Sequence, residues 1–116
     1  PQPAPQWVTA IPSQNHPQLV PDLAARLAKS FGLPFRMVLT RGPFAKQQKT
    51  LKNSTFQAKN VWESLDIQGQ VLETPVLLVD DMVDSSWTFT VAAYKLLRSG
   101  SGPVFPFALA MAAKTN

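Results

Sequence analysis

Asp80, Asp81 and Asp84 put three of the chain's seven acidic residues within five positions of a protein whose formal net charge is +4. They stand in "VLLVDDMVDSSWT" (76–88), where an apolar run meets two acids and then a short polar turn. Carboxylates this close repel one another, so a ligand, a metal or a helix end has to compensate them. A helix start accounts for part of the cluster: Asp and Ser are favoured N-caps, and acids suit the positive end of a helix dipole. That explains Asp84 and Ser85 but leaves Asp80 and Asp81, which precede the helix, without a role.

Other sites built on acidic pairs fit less well. A receiver-type phosphoacceptor needs a further aspartate at the end of a later strand, and no Asp or Glu occurs after Asp84. A Walker phosphate loop needs Gly-Lys-Ser/Thr, which is absent from the sequence. Successive backbone N–H groups in a turn entering a helix can still hold an anion without lysine. Residues 84–88 form such a turn, with hydroxyls on Ser85, Ser86 and Thr88. Asp80 and Asp81 are good acceptors for vicinal hydroxyls and can help to hold a metal. Phosphate on the turn and hydroxyls on the acids together describe a sugar phosphate.

The elements that must position these groups follow from periodicity. "QWVTAI" (6–11) predicts a strand ending at Pro12, and "SQNHP" a turn in which Asn15 or His16 caps a helix with Pro17 in its first turn. That helix runs to Phe31 and buries Val20, Leu23, Ala24, Leu27 and Phe31, and Gly32-Leu33-Pro34 ends it. "FRMVLT" (35–40) reads as a second strand, residues 54–63 as a short helix, and "LDIQGQVLE" (65–73) as a hairpin-like excursion. "PVLLVD" (75–80) has the composition of a strand buried on both faces of a parallel sheet. A helix over 88–98 burying Phe89, Ala92, Ala93, Leu96 and Leu97 follows, then a strand at 104–110 whose Pro106 places it near an edge or a bulge.

The alternation predicts an α/β domain with a mostly parallel open sheet flanked by helices. Ligands of such sheets sit at the carboxyl ends of the strands beside a switch point, which nominates loops 12–16, 41–56 and 80–88.

At 116 residues the chain is one domain long, and 45% hydrophobic with 16% charged residues is a globular composition. No apolar run approaches the ~20 residues of a membrane span, so no membrane partner is expected. The absence of cysteine fits a reducing cytoplasm and excludes disulfides and thiolate chemistry. "PQPAPQ" (1–6) reads as a linker-like lead, residues 7–116 as the domain, and the whole as a piece of a longer protein. Residues 41–60 hold Arg41, Lys46, Lys49, Lys52 and Lys59, five of the eleven basic residues, and no acid. Interleaved with Phe44 and Phe56, they are either a solvated mobile loop or a single-strand nucleic-acid contact. His16, the only histidine, has no identifiable partner and reads as a capping or surface residue. Trp7 and Trp62 read as core or partner-facing residues. Trp87 either stacks on a base or packs under the turn, the second being favoured.

The 76–88 stretch resembles the phosphoribosyl-pyrophosphate signature of type I phosphoribosyltransferases: apolar strand, two acids, two apolar residues, and a small polar turn closing on Thr. "AIPS" (10–13) looks like that family's pyrophosphate loop, and "KQQKTLKNSTFQAKNVWESLDI" (46–67) is similar to the mobile region of its competence-associated, ComF-like branch. Trp87 within the signature and "HPQLVPDLAARLA" (16–28) are similar to a phosphoribosyltransferase domain appended to some bacterial RecQ-type ATP-dependent DNA helicases.

The resemblance implies that Asp80 and Asp81 bind the ribose 2′- and 3′-hydroxyls with Mg²⁺. Residues Asp84 to Thr88, including Ser85, Ser86 and Trp87, would surround the 5′-phosphate, and Asp84 would serve as the acid/base beside the incoming base. Pro12, Ser13 and Gln14 would contact the pyrophosphate. The 41–59 loop, through Lys46 and Lys49, would close over it and neutralise its charge as it leaves. The implied reaction moves phosphoribosyl from phosphoribosyl pyrophosphate to a nitrogen nucleophile of a nucleobase kind. The alternative is a non-catalytic accessory module of a RecQ-like helicase, reaching nucleic acid through that parent. Two departures from the family pattern bear on the choice. Ser86 stands where Gly is usual, and no separate base-recognising hood segment is evident.

Overall fold

In a computed structural model of the chain, the structure describes residues 3–12, 18–42, 54–83 and 86–111. Eight elements follow in order: β1 (Trp7–Ala10), α1 (Leu19–Phe31), β2 (Leu39–Arg41), α2 (Ser54–Ser64), β3 (Leu65–Ile67), β4 (Val76–Val83), α3 (Ser86–Arg98) and β5 (Val104–Met111). The main sheet is parallel with strand order β1-β4-β5, and β2 and β3 form a separate antiparallel pair. Helices cover both faces of the sheet, as its alternating α/β sequence requires. No helix among the described residues is long and apolar enough to cross a membrane.

Strand alternation divides the core in two. On one face Val8, Ala10 and Val79 meet Val20, Ala24 and Ala28 of α1, all buried, at a spacing of four along the helix. On the other, Trp7, Ile11, Val76 and Leu78 meet Val61 of α2 and Val91, Ala92 and Leu96 of α3. The α1 stripe is narrower than its periodicity suggests, because alanines let that helix lie close to the sheet. Phe31, expected to be buried, is 61% exposed. The expected end is present: Gly32 adopts φ 68°, its amide reaches Lys29 O, and the Leu33 amide reaches Ala28 O at 2.8 Å. This paired arrangement satisfies carbonyls that the helix end leaves over.

The helix start differs from expectation. Its N-cap is Gln18, with no side-chain capping bond, rather than Asn15 or His16, which lie outside the described residues together with Pro17. Pro21 is the proline of the first turn, where a missing N–H removes no intrahelical bond.

Residues 35–40 do not form one strand. Phe35 makes a single parallel bridge to Val8, with Val8 N–H on Pro34 O and Arg36 N–H on Val8 O, both at 2.9 Å. The chain then turns away, and β2 pairs antiparallel with β3. The expected excursion at 65–73 is corrected accordingly, since β3 finds its partner 26 residues upstream, Leu39 opposite Ile67 in chain order reversed to Arg41 opposite Leu65. A β-rich stretch carries no mark of which edge it will meet, so these pairings are set by tertiary contacts. In α3 the buried positions are Val91, Ala92 and Leu96, while Leu97 is 50% exposed rather than buried. β5 takes an outer position beside β4, with Pro106 in register with Leu78.

Candidate functional site at the carboxyl ends of β1 and β4

The chain leaves β1 and β4 in opposite directions. From β1 it passes through α1, on one face, to the Phe35 bridge on the outer side of β1. From β4 it passes through α3, on the other face, to β5. The gap between the carboxyl ends of β1 and β4 is therefore a topological switch point, where loops diverge and leave a crevice.

The strands end at different heights there. β1 stops at Ala10, and the Ile11 amide makes a last contact with Val79 O at 2.9 Å. β4 continues along β5, with Asp80 opposite Ala108, Met82 opposite Ala110 and Val83 opposite Met111. The sequence led us to expect the strand to end at Asp80, but both Asp80 and Asp81 belong to it. The cause is β5, whose apolar 104–111 run offers ladder partners up to Met111.

Asp80 is 6% exposed, and it is engaged in polar contact with its surroundings. A carboxylate buried to this degree has to be compensated if it is to stay charged. Nearby on β1, Thr9 pairs with Leu78, two residues before Asp80. Its Oγ1 is fully buried and, among the described residues, has no hydrogen-bond partner.

α3 opens at Ser86, two residues earlier than its apolar periodicity suggests. The helix thus begins only three residues after β4 ends, so its first amides lie at the strand's carboxyl end. Thirteen residues give α3 a full dipole, positive at this end. Ser86 is itself the first helical residue, a backbone state with negative φ. Glycine's conformational freedom is therefore not needed at this position. Trp87 is half-buried and packs against the α3-side core, and Thr88 is half-buried in the same turn.

Arg41 supplies a contact the sequence did not suggest. Its Nε–H donates to the Pro12 carbonyl at 3.1 Å, joining the end of β2 to the second residue after β1. The bases of the 12–16 and 41–56 loops are therefore tied together. The partners are 29 residues apart and one is a main-chain carbonyl, so only the cluster of basic residues beginning at Arg41 hinted at it.

Of the residues nominated from sequence, Pro12, Asp80, Trp87 and Thr88 are brought to this end of the sheet with described side chains, and Asp81 and Ser86 with their backbones. Ser13, Gln14, Lys46, Lys49, Asp84 and Ser85 lie outside the described residues. Magnesium prefers oxygen ligands and is usually held by one or two carboxylates together with substrate phosphates. Asp80 and Asp81 are residues of that type. Among the described residues, no group of three potential metal ligands occurs.

No protein-family model and no curated protein matches the sequence. Solved structures do share its fold. Glutamine phosphoribosylpyrophosphate amidotransferase from B. subtilis, complexed with ADP and GMP, aligns with a TM-score of 0.60 at 18% identity over 91% of this chain and 22% of its own. Adenine phosphoribosyltransferase from Leishmania donovani aligns at 0.58 and 17% identity, over 96% of this chain and 46% of its own. Purine phosphoribosyltransferase from Pyrococcus horikoshii aligns at 0.55 and 17% identity, over 92% of this chain and 62% of its own. The chain thus spans less than two thirds of each of these proteins, and what it shares with them is the α/β fold.

Proposed function

We propose that this domain, folded like the type I phosphoribosyltransferases, binds phosphoribosyl pyrophosphate with Mg²⁺ and transfers its phosphoribosyl group to a nitrogen nucleophile of a nucleobase kind. The observation that carries this reading is the position of Asp80 and Asp81 in the second half of β4, six and five residues before α3 opens at Ser86, beside the β1–β4 switch point. Acceptors for vicinal hydroxyls and donors for a phosphate then lie on either side of one short loop.

In this assignment Asp80 and Asp81 accept hydrogen bonds from the ribose 2′- and 3′-hydroxyls and, when magnesium is bound, help to hold it. The ion supplies charge neutralisation on the pyrophosphate. The first amides of α3, that of Ser86 included, hold the 5′-phosphate together with the hydroxyls of Ser85 and Thr88. Pro12, Ser13 and Gln14 line the pyrophosphate side, and Arg41 fixes the Pro12 carbonyl there. Lys46 and Lys49 add positive charge where the leaving group develops negative charge. The nitrogen lone pair forms the new bond to ribose C1 as the C1–O bond breaks, the electron pair leaving with pyrophosphate. Asp84 takes the proton released from the nucleophile.

Titration calorimetry tests the ligand. The domain should bind phosphoribosyl pyrophosphate in the presence of Mg²⁺. Asp80→Asn/Asp81→Asn should weaken binding at least tenfold, about 1.4 kcal/mol, as expected for lost charge-assisted hydrogen bonds. Absence of heat at millimolar ligand with the unmutated domain would overturn the assignment.

A further inference from the structure

A second cavity lies at the other end of α3, between α2, β3 and the last turns of that helix. It measures about 350 Å³ and is lined by Trp62, Asp66, Ile67, Tyr94, Lys95 and Arg98. Tyr94 and Arg98 follow Ser86 by eight and twelve residues, about 12–18 Å along the helix at its usual rise. It is therefore separate from the switch-point crevice.

Its walls are unusual for a surface. Trp62 and Tyr94 are 47% and 45% exposed, and their ring centroids lie 5.6 Å apart at 46°. Each ring already has a cation over it: Lys95 Nζ is 4.4 Å from the Trp62 centroid, and the Arg98 guanidinium carbon 5.7 Å from that of Tyr94. The two cations are not equivalent. The Lys95 ammonium donates to the carbonyls of Trp62, near the end of α2, and Leu65, the first residue of β3, and lies 3.9 Å from Asp66, so it already has three acceptors. Arg98 donates to the neutral Tyr94 hydroxyl at 2.9 Å and is exposed.

This asymmetry selects among occupants. A cationic ligand would be repelled by Lys95 and Arg98, which already lie over these rings. A purely apolar occupant would bury the Arg98 charge without a partner. An aromatic ring carrying an anionic group satisfies both demands, stacking against Trp62 and Tyr94 while its anion pairs with Arg98. Asp66, 71% exposed, remains an acceptor for an amino or hydroxyl group. A cavity of a few hundred Å³ matches small-ligand sites. We infer that this cavity binds a nucleotide unit, its base on the Trp62–Tyr94 pair and its phosphate on Arg98. The unit is either free or part of a single strand, in which case exposed Lys59, one turn before Trp62 on α2, is a candidate partner for a neighbouring phosphate.

Heteronuclear NMR of the intact chain, titrated with AMP, adenosine and hexadeoxyadenylate, tests this residue by residue. AMP should shift the Trp62 indole N–H and the amides of 94–99 saturably, independently of changes at 80–88. Arg98→Gln, at an exposed position, should weaken AMP about fivefold, the upper range of an exposed ion pair, and leave adenosine unchanged. Trp62→Ala should weaken both, with Trp62→Phe intermediate, which separates loss of stacking from loss of fold. Tighter binding of the hexamer than of AMP, by tenfold or more and with Lys59 shifted, would identify a strand as the source, and equal affinity a free nucleotide. Shifts confined to 80–88, or equal affinity of AMP and adenosine for the unmutated chain, would overturn the inference.

Discussion

The two ends of the parallel sheet are built on opposite plans. At the amino end, short connections are pinned by main-chain bonds: Gln6 N–H to Pro75 O at 2.8 Å, Val76 N–H to Pro103 O at 2.9 Å, and Gly102 N–H to Thr74 O at 3.1 Å. The Trp7 indole adds its own bond to Thr74 O at 2.9 Å. At the carboxyl end, the strands stop at unequal heights, β4 carries a buried acid, and an arginine from β2 ties down the segment after β1. Rigidity at one end lets the other carry polar groups that a packed core would not tolerate. The stability of this domain and its proposed chemistry should therefore respond to different substitutions.

Gly102→Ala should give the largest effect. A Cβ there would lie 2.7 Å from Pro75 N and from the Thr74 carbonyl carbon, both backbone atoms with little room to yield. A loss of about 3 kcal/mol, at the upper end for overpacking, is expected. Thermal unfolding should show it as a fall of roughly 10 °C in Tm. Phosphoribosyl pyrophosphate affinity of the remaining folded fraction should not change; a parallel loss would erase the distinction between the two ends.

Thr9→Val probes the transition between them. Removing a buried hydroxyl that has no partner among the described residues should stabilise the chain by about 1 kcal/mol in denaturant titrations. If ligand affinity nevertheless falls, the hydroxyl belongs to the working end rather than to the core. Ser86→Gly should have the smallest effect, a few tenths of a kcal/mol lost at the start of α3, with ligand affinity unchanged. Calorimetry showing tighter binding would mean that the serine side chain crowds the phosphate.

Much of this division can be read from residue order. The apolar 75–80 run announced a buried parallel strand, and the 3–4 spacing of Val20, Ala24 and their neighbours announced α1, because both signals repeat locally. What escaped depends on partners distant in sequence. Residues 35–40 are β-prone throughout, yet only Val8 and the 65–67 segment decide where they pair. The extension of β4 past Asp80 needed β5, 25 residues or more downstream. The Asp80–Asp81 pair stands out in the sequence because carboxylates in an apolar context are conspicuous, and both residues lie in the second half of β4. Arg41 on Pro12 and Lys95 on the Trp62 and Leu65 carbonyls were hidden, because a main-chain oxygen carries no residue identity.

The same property has a consequence at Thr74. Its one carbonyl receives both the Trp7 indole and the Gly102 amide, and so joins two segments 95 residues apart in the chain. The acceptor is backbone, so position 74 can drift to almost any side chain without loosening the joint. Positions 7 and 102 have no such latitude: one must keep an indole-like donor, the other must stay without a side chain. In descendants of this sequence, the joint would be recorded at its two distant ends and erased at its centre.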